Sequence, residues 1–208
     1  MGLNFVIIEK GSDVGGVWYW NKYPGIASDV KSHLYSYSHF RNNNWSRTFP
    51  HGAELQNYLV RFYNYAMLHK YTKFNTEVTK AVWNWQSNRW EITTICENHN
   101  DKSEYNWLIC CSGALHVPFM PQLVGDSDFK KPKIHTSQWK QNINLEGKRI
   151  GLIGTGASAV QVLPELINHS KCRQVVQFQR TPAYSVLRGD FIYPTIFKKL
   201  MELVNWSS

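Results

Sequence analysis

One segment constrains the fold of this chain more than any other: residues 148–180 alternate between strand-like and helix-like patterns around a glycine-rich turn. "KRIGLIG" predicts a strand, "TGAS" a turn, "AVQVLPELINH" a helix and "RQVVQFQR" a second strand. A strand, a crossover helix and a second parallel strand make up a βαβ unit. The segment therefore predicts an α/β fold built on parallel strands.

The turn in this segment has the form Gly154-x-Gly156-x-x-Ala159 and lies between the predicted strand and helix. In that context the first glycine permits the tight turn, the second lets a pyrophosphate approach the backbone, and the alanine lets the helix pack closely. Free N–H groups at the helix N-terminus favour phosphate. A purely structural turn that binds nothing is the alternative, and the flanking elements make it the less favoured one.

The end of the second strand indicates which dinucleotide would bind. An acid at this place accepts hydrogen bonds from the ribose 2′-hydroxyl of NAD, whereas an arginine accommodates the 2′-phosphate of NADP. This chain has Arg180 and Thr181 there. The sequence therefore favours NADP(H), with Arg180 as an ordinary surface charge as the alternative.

The N-terminal segment "NFVIIEKG" resembles the second strand of another such unit, and here the strand ends on an acid, Glu9. An acid in this place fits a ribose with both hydroxyls free, as in the adenosine half of FAD. The glycine-rich turn of that unit should lie roughly 20 residues upstream. Those residues are not in this chain, and we expect the FAD unit to lack its first strand and helix.

Further elements are predicted between these two segments. Residues 53–68 place apolar side chains on one side at helical spacing and predict an amphipathic helix. "EVTKAVWNWQ" and "RWEITTIC", joined by the turn-forming Ser87-Asn88, predict an antiparallel ribbon, and "YNWLICCSG" predicts a buried strand. The polar residues 97–104 are expected to form a loop, and the prolines and glycines of residues 114–147 indicate a connecting segment.

Together these segments predict an α/β fold of two Rossmann-like dinucleotide-binding units with an antiparallel β ribbon inserted. The expected parts are a partial FAD-binding domain at 1–113, an interdomain linker at 114–147, a partial NADP-binding domain at 148–190 and the start of a helical region at 191–208.

Composition narrows the classes of function. The net charge of +8 comes from basic residues scattered as pairs, so a nucleic-acid-binding stripe is not indicated. The four cysteines form neither a CxxC pair nor a Cys/His ligand spacing, which argues against a metal site and favours reduced thiols. No apolar run approaches the roughly 20 residues of a membrane span. We expect a cytoplasmic protein with no transmembrane segment in this chain.

Four spaced motifs tie these parts to a known family. The chain contains "EKGSDVGGVWYWNKYPGIASDVKSHLYSYS", "FKKPKIHTSQW", "IGTGASAVQ" and "FQRTP" in that order. This set resembles the flavin-containing monooxygenases, most closely their Baeyer-Villiger branch, whose fingerprint is F-x-G-x-x-x-H-x-x-x-W-[P/D]. Phe129, His135 and Trp139 match that fingerprint, whereas Lys131 replaces its glycine and Lys140 its last residue.

The resemblance implies an enzyme that uses FAD and NADPH to insert one oxygen of O2 beside a ketone carbonyl, or to oxygenate an amine or a sulfide. By position, the residues that it implies at the FAD site are Glu9, Gly15, Gly16 and Trp18. Those that it implies at the NADPH site are Gly154, Gly156, Ala157, Ser158, Arg180 and Thr181. The catalytic candidates are Asp29, which would face the flavin, and the fingerprint residues His135 and Trp139.

Two alternatives stay open at this point. The chain contains neither the FAD glycine-rich turn nor the later region in which the family keeps its catalytic arginine, so we expect these residues alone to be inactive. A non-catalytic nucleotide-binding or interaction protein derived from a flavin monooxygenase is therefore the main rival. A disulfide reductase of the two-dinucleotide type ranks last, because Cys110 and Cys111 are adjacent and form no redox CxxC pair.

Overall fold

The computed structural model describes residues 2–113, 115, 117–184 and 186–203, and these fall into two compact units. The first unit comprises the chain up to Trp20 together with Leu59–Val117. The second comprises Asn21–Tyr58 together with the chain from Pro118 onward. The domain limits expected at residues 113 and 147 remain predictions.

The described residues form four α-helices and seven strands. They are β1 (Ile7–Ile8), α1 (Val17–Trp20), α2 (Gly52–Tyr65), β2 (Thr72–Lys73), β3 (Thr76–Asn84), β4 (Arg89–Cys96), β5 (His99–Tyr105), β6 (Arg149–Ile153), α3 (Ala157–Asn168), β7 (Gln174–Phe178) and α4 (Thr195–Leu203). Strands pair in parallel in β1–β2 and β6–β7 and antiparallel in β3–β4–β5. No helix formed by the described residues has the length and apolar content needed to cross a bilayer.

The first unit contains a short parallel pair and the ribbon. Strand β1 pairs with β2, Ile7 opposite Thr72 and Ile8 opposite Lys73. The predicted ribbon is confirmed: β3 and β4 pair in antiparallel fashion through a turn in which Asn88 has a positive φ of 51°. Asparagine tolerates this left-handed conformation better than most residues, which explains its place in the turn.

Two predictions that concern the end of the ribbon are wrong. Residues 97–104 are expected to form a loop, but all of them except the first two belong to β5 (His99–Tyr105), because an outer strand of a solvent-exposed ribbon needs no apolar side chains. Residues 105–113, expected to form a buried strand, leave the ribbon after Tyr105. Trp107 and Ile109 are 86% and 83% exposed. A strand needs a neighbour to satisfy its backbone, and no described strand pairs with residues 106–113.

Helix α2 confirms the amphipathic helix predicted at residues 53–68. Its buried face carries Leu55 and Tyr58, which are 0% and 1% exposed. The Tyr58 hydroxyl donates to the carbonyl oxygen of Phe40 at 2.7 Å and accepts from the amide of Tyr37 at 2.7 Å. The helix gives way to a left-handed residue, Met67, with a φ of 51°.

The βαβ unit lies in the second unit and has the predicted parallel register, from Arg149 opposite Gln174 to Ile153 opposite Phe178. Helix α3 covers one face of this strand pair. Its Val162 and Leu166 are 1% and 2% exposed and form a buried cluster with Tyr23. Ile150 of β6 and Val175 of β7 pack against that cluster, together with Ile26, Trp139 and Leu145. Burial of this apolar surface fixes the position of α3 against the strands.

Candidate functional site

The predicted glycine-rich turn connects the end of β6 to the start of α3. Gly154 has a φ of +108°, a conformation that L side chains rarely adopt. Its amide donates to the carbonyl oxygen of Phe178 at 2.9 Å, and its carbonyl accepts from the Gln177 side chain at 3.0 Å. The backbone N–H and the carbonyl of Gly154 are therefore both held by β7, which fixes the shape of the turn.

The space in front of the turn is open. A Cβ placed on Gly154 or on Gly156 would meet no heavy atom within 4 Å. Gly156 caps α3 without a side-chain hydrogen bond, and the first hydrogen bond of the helix runs from Val160 to Gly156. The amides of Ala157 and Ser158 precede that bond, so they have no acceptor within the helix. The turn thus combines open space with amide donors, as an anion requires.

The end of β7 lies beside this turn. The hydroxyl of Thr155 is 3.5 Å from the carbonyl oxygen of Thr181. Arg180 is exposed, and its guanidinium has no ion-pair partner among the described residues. The structure therefore brings Gly154, Gly156, Ala157 and Ser158 together with the strand end that carries Arg180 and Thr181.

The predicted ribose-binding acid lies in the first unit, where β1 ends. One oxygen of the Glu9 carboxylate accepts from the amide of Gly11 at 2.6 Å. The Glu9 backbone makes two hydrogen bonds of 3.0 Å. Its amide donates to the carbonyl oxygen of Lys73, and its carbonyl oxygen accepts from the amide of Thr76. A Cβ on Gly11 would lie 2.9 Å from the Tyr19 ring. Glycine therefore allows the chain to turn back on the carboxylate and hold it.

Gly15 and Gly16 form the entry to α1. Their φ angles of 132° and 53° are positive, and a Cβ on Gly16 would meet no heavy atom within 4 Å. The amide of Trp18 donates to the carbonyl of Gly15 at 3.0 Å, which closes the turn. This segment lies in the same unit as Glu9, and its backbone borders open space. Such a backbone allows a flat ring to approach closely.

Asp29 is exposed on a segment whose backbone is held firmly. The neighbouring Ser28 is 2% exposed, and its hydroxyl exchanges two 2.9 Å hydrogen bonds with the backbone of Val30. The Ser28 amide donates to Pro50 at 2.9 Å, and the guanidinium of Arg188 donates to the Ser28 carbonyl. The Asp29 carboxylate therefore projects from a fixed backbone.

The two fingerprint residues of the connecting segment have structural contacts of their own. His135 precedes a short 3-10 turn, and its Nδ1 accepts from the amide of Ser137 at 3.2 Å. In the neutral ring this places the proton on Nε2. Trp139, four residues later, packs against the buried cluster of α3. The structure does not bring these two side chains to the glycine-rich turn through any described contact, and their catalytic assignment stays a prediction.

Among the described residues of the second unit, His33 has a perturbed pKa. Burial lowers the pKa of His33 below its ordinary value of 6.5, because the charged ring would lose hydration. Its Nε2 is buried and has no hydrogen-bond partner among the described residues. The ring lies 5.3 Å from that of Tyr193 and 6.1 Å from that of Phe197.

Sequence reasoning missed several residues that shape the turn. Gln177 holds the Gly154 carbonyl, and Thr155 contacts the end of β7. Both lie within or next to quoted motifs, yet only the pairing of β6 with β7 shows what they contact. Gln161, the last residue of "IGTGASAVQ", was likewise left without a role.

Comparison with known proteins gives a consistent result. The family profile described as flavin-binding monooxygenase-like matches residues 1–197. A Baeyer-Villiger monooxygenase of Streptomyces coelicolor is 35% identical over 187 residues, 90% of this chain and 35% of that protein. Cyclohexanone 1,2-monooxygenase of an Acinetobacter species is 36% identical over 186 residues, 88% of this chain and 33% of that protein.

Solved structures agree with the sequence relatives. The crystal structure of OTEMO in complex with FAD and NADP has a TM-score of 0.87 at 31% identity, and the match covers 97% of this chain and 39% of that chain. The fold predicted from the sequence, with its dinucleotide-binding units, is confirmed. The chain spans about a third of the length of the curated relatives described above.

Proposed function

Because the chain belongs to the flavin-binding monooxygenase-like family, we propose that it forms part of an FAD- and NADPH-dependent monooxygenase of the Baeyer-Villiger type. The reaction would insert one oxygen of O2 next to the carbonyl of a ketone. Similarity to cyclohexanone 1,2-monooxygenase supports a ketone substrate, with an amine or a sulfide as the alternative. When bound, FAD and NADPH supply the redox chemistry, and the protein supplies binding, orientation and exclusion of water.

The glycine-rich turn is the single observation that carries this proposal. We propose that the amides of Ala157 and Ser158 receive the pyrophosphate of NADPH, which would approach through the open space beside Gly154 and Gly156. Arg180 and Thr181 would bind the 2′-phosphate at the end of β7.

The FAD half of the proposal rests on the first unit. Glu9 uses one carboxylate oxygen to accept from Gly11, which leaves the other oxygen available for the ribose hydroxyls. Gly15, Gly16 and Trp18 would line the flavin, where the positive φ angles of the glycines allow close approach of the backbone.

The catalytic assignments are proposals of a different kind, because they follow from family position. Asp29 would face the flavin and orient the family's catalytic arginine, and the rigid backbone around Ser28 supports such a positioning role. His135 and Trp139 would act from the connecting segment, where the Ser137 amide orients the histidine ring. We keep the domain limits 1–113, 114–147, 148–190 and 191–208 as part of the proposal.

We further propose a cytoplasmic location. All four cysteines are free thiols, and Cys110 and Cys111 are exposed. Exposed unpaired thiols persist in a reducing compartment.

Cofactor titration tests the proposal. Purified chain should quench or enhance NADPH fluorescence in a saturable way and should bind NADPH more tightly than NADH. Absorbance of the purified chain in the flavin region, before and after incubation with FAD, tests the FAD half separately. Binding of NADPH with weak or no binding of FAD is the expected result for these residues, and failure to bind either dinucleotide would refute the proposed function for them.

A further inference from the structure

Gln161 lies one turn into α3, and its side chain makes three hydrogen bonds to a distant segment. The Oε1 atom accepts from the hydroxyl of Tyr23 at 2.9 Å and from the amide of Ala27 at 3.4 Å. The Nε2 atom donates to the carbonyl oxygen of Ala27 at 2.9 Å. The carboxamide therefore pairs with Ala27 as a strand neighbour would, satisfying both backbone groups of that residue.

The backbone of the same segment also approaches α3 closely. Gly25 has a φ of +77°, and a Cβ at this position would overlap the backbone carbonyl of Gln161 and lie 2.9 Å from Cγ of Glu165. Only glycine allows the segment to come this near to the helix. Tyr23 is 9% exposed and belongs to the same buried cluster as Val162. The segment Tyr23–Ala27 is thus attached to α3 by packing, by close backbone approach and by the Gln161 side chain.

This attachment connects two parts of the proposed site. Helix α3 begins at the turn that we assign to NADPH, and the attached segment leads directly through Ser28 to Asp29. On its other side the segment is held by the hydrogen bond from the Ser28 amide to Pro50. Ala27 and Ser28 are adjacent, yet Gln161 holds only the first of them.

We propose that Gln161 is a positioning residue that couples the NADPH-binding turn to the backbone that carries Asp29. The proposal rests on the proposed function, because it takes the turn as the dinucleotide site. Binding of the dinucleotide would restrain the first turns of α3, and Gln161 would pass that restraint to Ala27. Hydrogen exchange reports such local restraint at single amides.

The test measures amide exchange of the whole chain by NMR, with and without NADP⁺, in the unmodified protein and in Gln161→Leu. Without ligand, exchange at Ala27 should be about fivefold faster in the variant, the effect of one hydrogen bond lost. The exchange rate of the Ser28 amide, which donates to Pro50, should change by less than about twofold. The exposed Gln174→Leu, on β7 of the same βαβ unit, is the matched control and should leave both amides unchanged.

Addition of NADP⁺ supplies the measurement that a merely structural contact would not affect. In the unmodified protein NADP⁺ should slow exchange at Ala157, Ser158 and Ala27. In Gln161→Leu it should still slow exchange at Ala157 and Ser158 but no longer at Ala27. Equal slowing at Ala27 in both proteins would overturn the proposal.

Two further arms keep the proposal open to refutation. If Gln161→Leu does not fold, Tyr23→Phe removes one of the three hydrogen bonds and retains the ring. It should weaken the effect of NADP⁺ on Ala27, and an unchanged effect would contradict the coupling. If NADP⁺ does not bind the unmodified protein, the proposed function fails at this site. The attachment of the segment to α3 is then tested by the exchange rate of the Ala27 amide without ligand, and an unchanged rate in Gln161→Leu refutes that attachment.

Discussion

The proposed contact between Arg180 and the 2′-phosphate predicts a preference for NADPH over NADH that a single substitution tests. The side chain is exposed at the end of β7 and has no ion-pair partner among the described residues, so nothing there competes with a phosphate for it. We therefore expect Arg180→Ala to weaken binding of NADPH and to leave binding of NADH unchanged, since NADH lacks the 2′-phosphate.

The expected size follows from the exposure of the side chain. A hydrogen bond to a charged group contributes about 1.5–3 kcal/mol, and about 1.4 kcal/mol corresponds to a tenfold change in affinity. Because Arg180 lies in solvent, the lower end applies, and NADPH should bind about tenfold more weakly to the variant. The difference between the two proteins should shrink in high salt, since exposed charges are screened over a Debye length of about 10 Å at 0.1 M.

The assay is a fluorescence titration of NADPH and NADH into the unmodified chain, Arg180→Ala and Arg173→Ala. Arg173 is an exposed arginine of the same βαβ unit that precedes β7, and its replacement controls for the loss of one positive charge. Equal losses of NADPH affinity in both variants would mean that only net charge matters. Equal losses for NADPH and NADH in Arg180→Ala would show that the residue does not read the 2′-phosphate.

Two further predictions concern stability. Tyr58→Phe removes the two 2.7 Å hydrogen bonds that the Tyr58 hydroxyl makes with the Tyr37 amide and the Phe40 carbonyl. At about 0.5–1.5 kcal/mol for each bond, the free energy of unfolding should fall by about 1–3 kcal/mol in urea titrations. The fully exposed Tyr184→Phe should have no effect. Burial lowers the pKa of His33 in the folded state, so the unfolded chain binds a proton first, and stability should fall as the pH drops below about 6.5. His33→Phe should flatten that part of the stability profile measured between pH 7.5 and 5.5, and an unchanged profile would contradict the assignment to His33.

The elements that the sequence predicted well are those whose determinants are local. The turn at Gly154 needs a residue that adopts a φ of +108°, and the glycine at this position of the motif indicates that requirement directly. The amphipathic pattern of α2 likewise defines its own buried face.

The elements that were predicted wrongly from the sequence are those whose structure depends on pairing with a neighbouring strand. Residues 105–113 are apolar enough for a buried strand, but a strand forms only where another strand accepts its hydrogen bonds. Residues 99–105 are polar and still form β5, because β4 supplies that partner along its whole length. The hydrogen bonds of Gln161 were equally beyond sequence reasoning, since Tyr23 and Ala27 lie more than 130 positions away.

The two proposed dinucleotide sites differ in what can be tested with these residues. The NADPH site has its phosphate turn, its helix N-terminus and its ribose-end strand within one compact unit. For FAD, the described residues supply the strand end at Glu9 and the segment at Gly15–Trp18, both in the other unit. A phosphate turn contributes much of the binding energy for a dinucleotide, because its amides and the helix dipole both act on the pyrophosphate. NADPH should therefore bind these residues more tightly than FAD does, and the opposite order of affinities would mean that the turn at Gly154 is not the dinucleotide site.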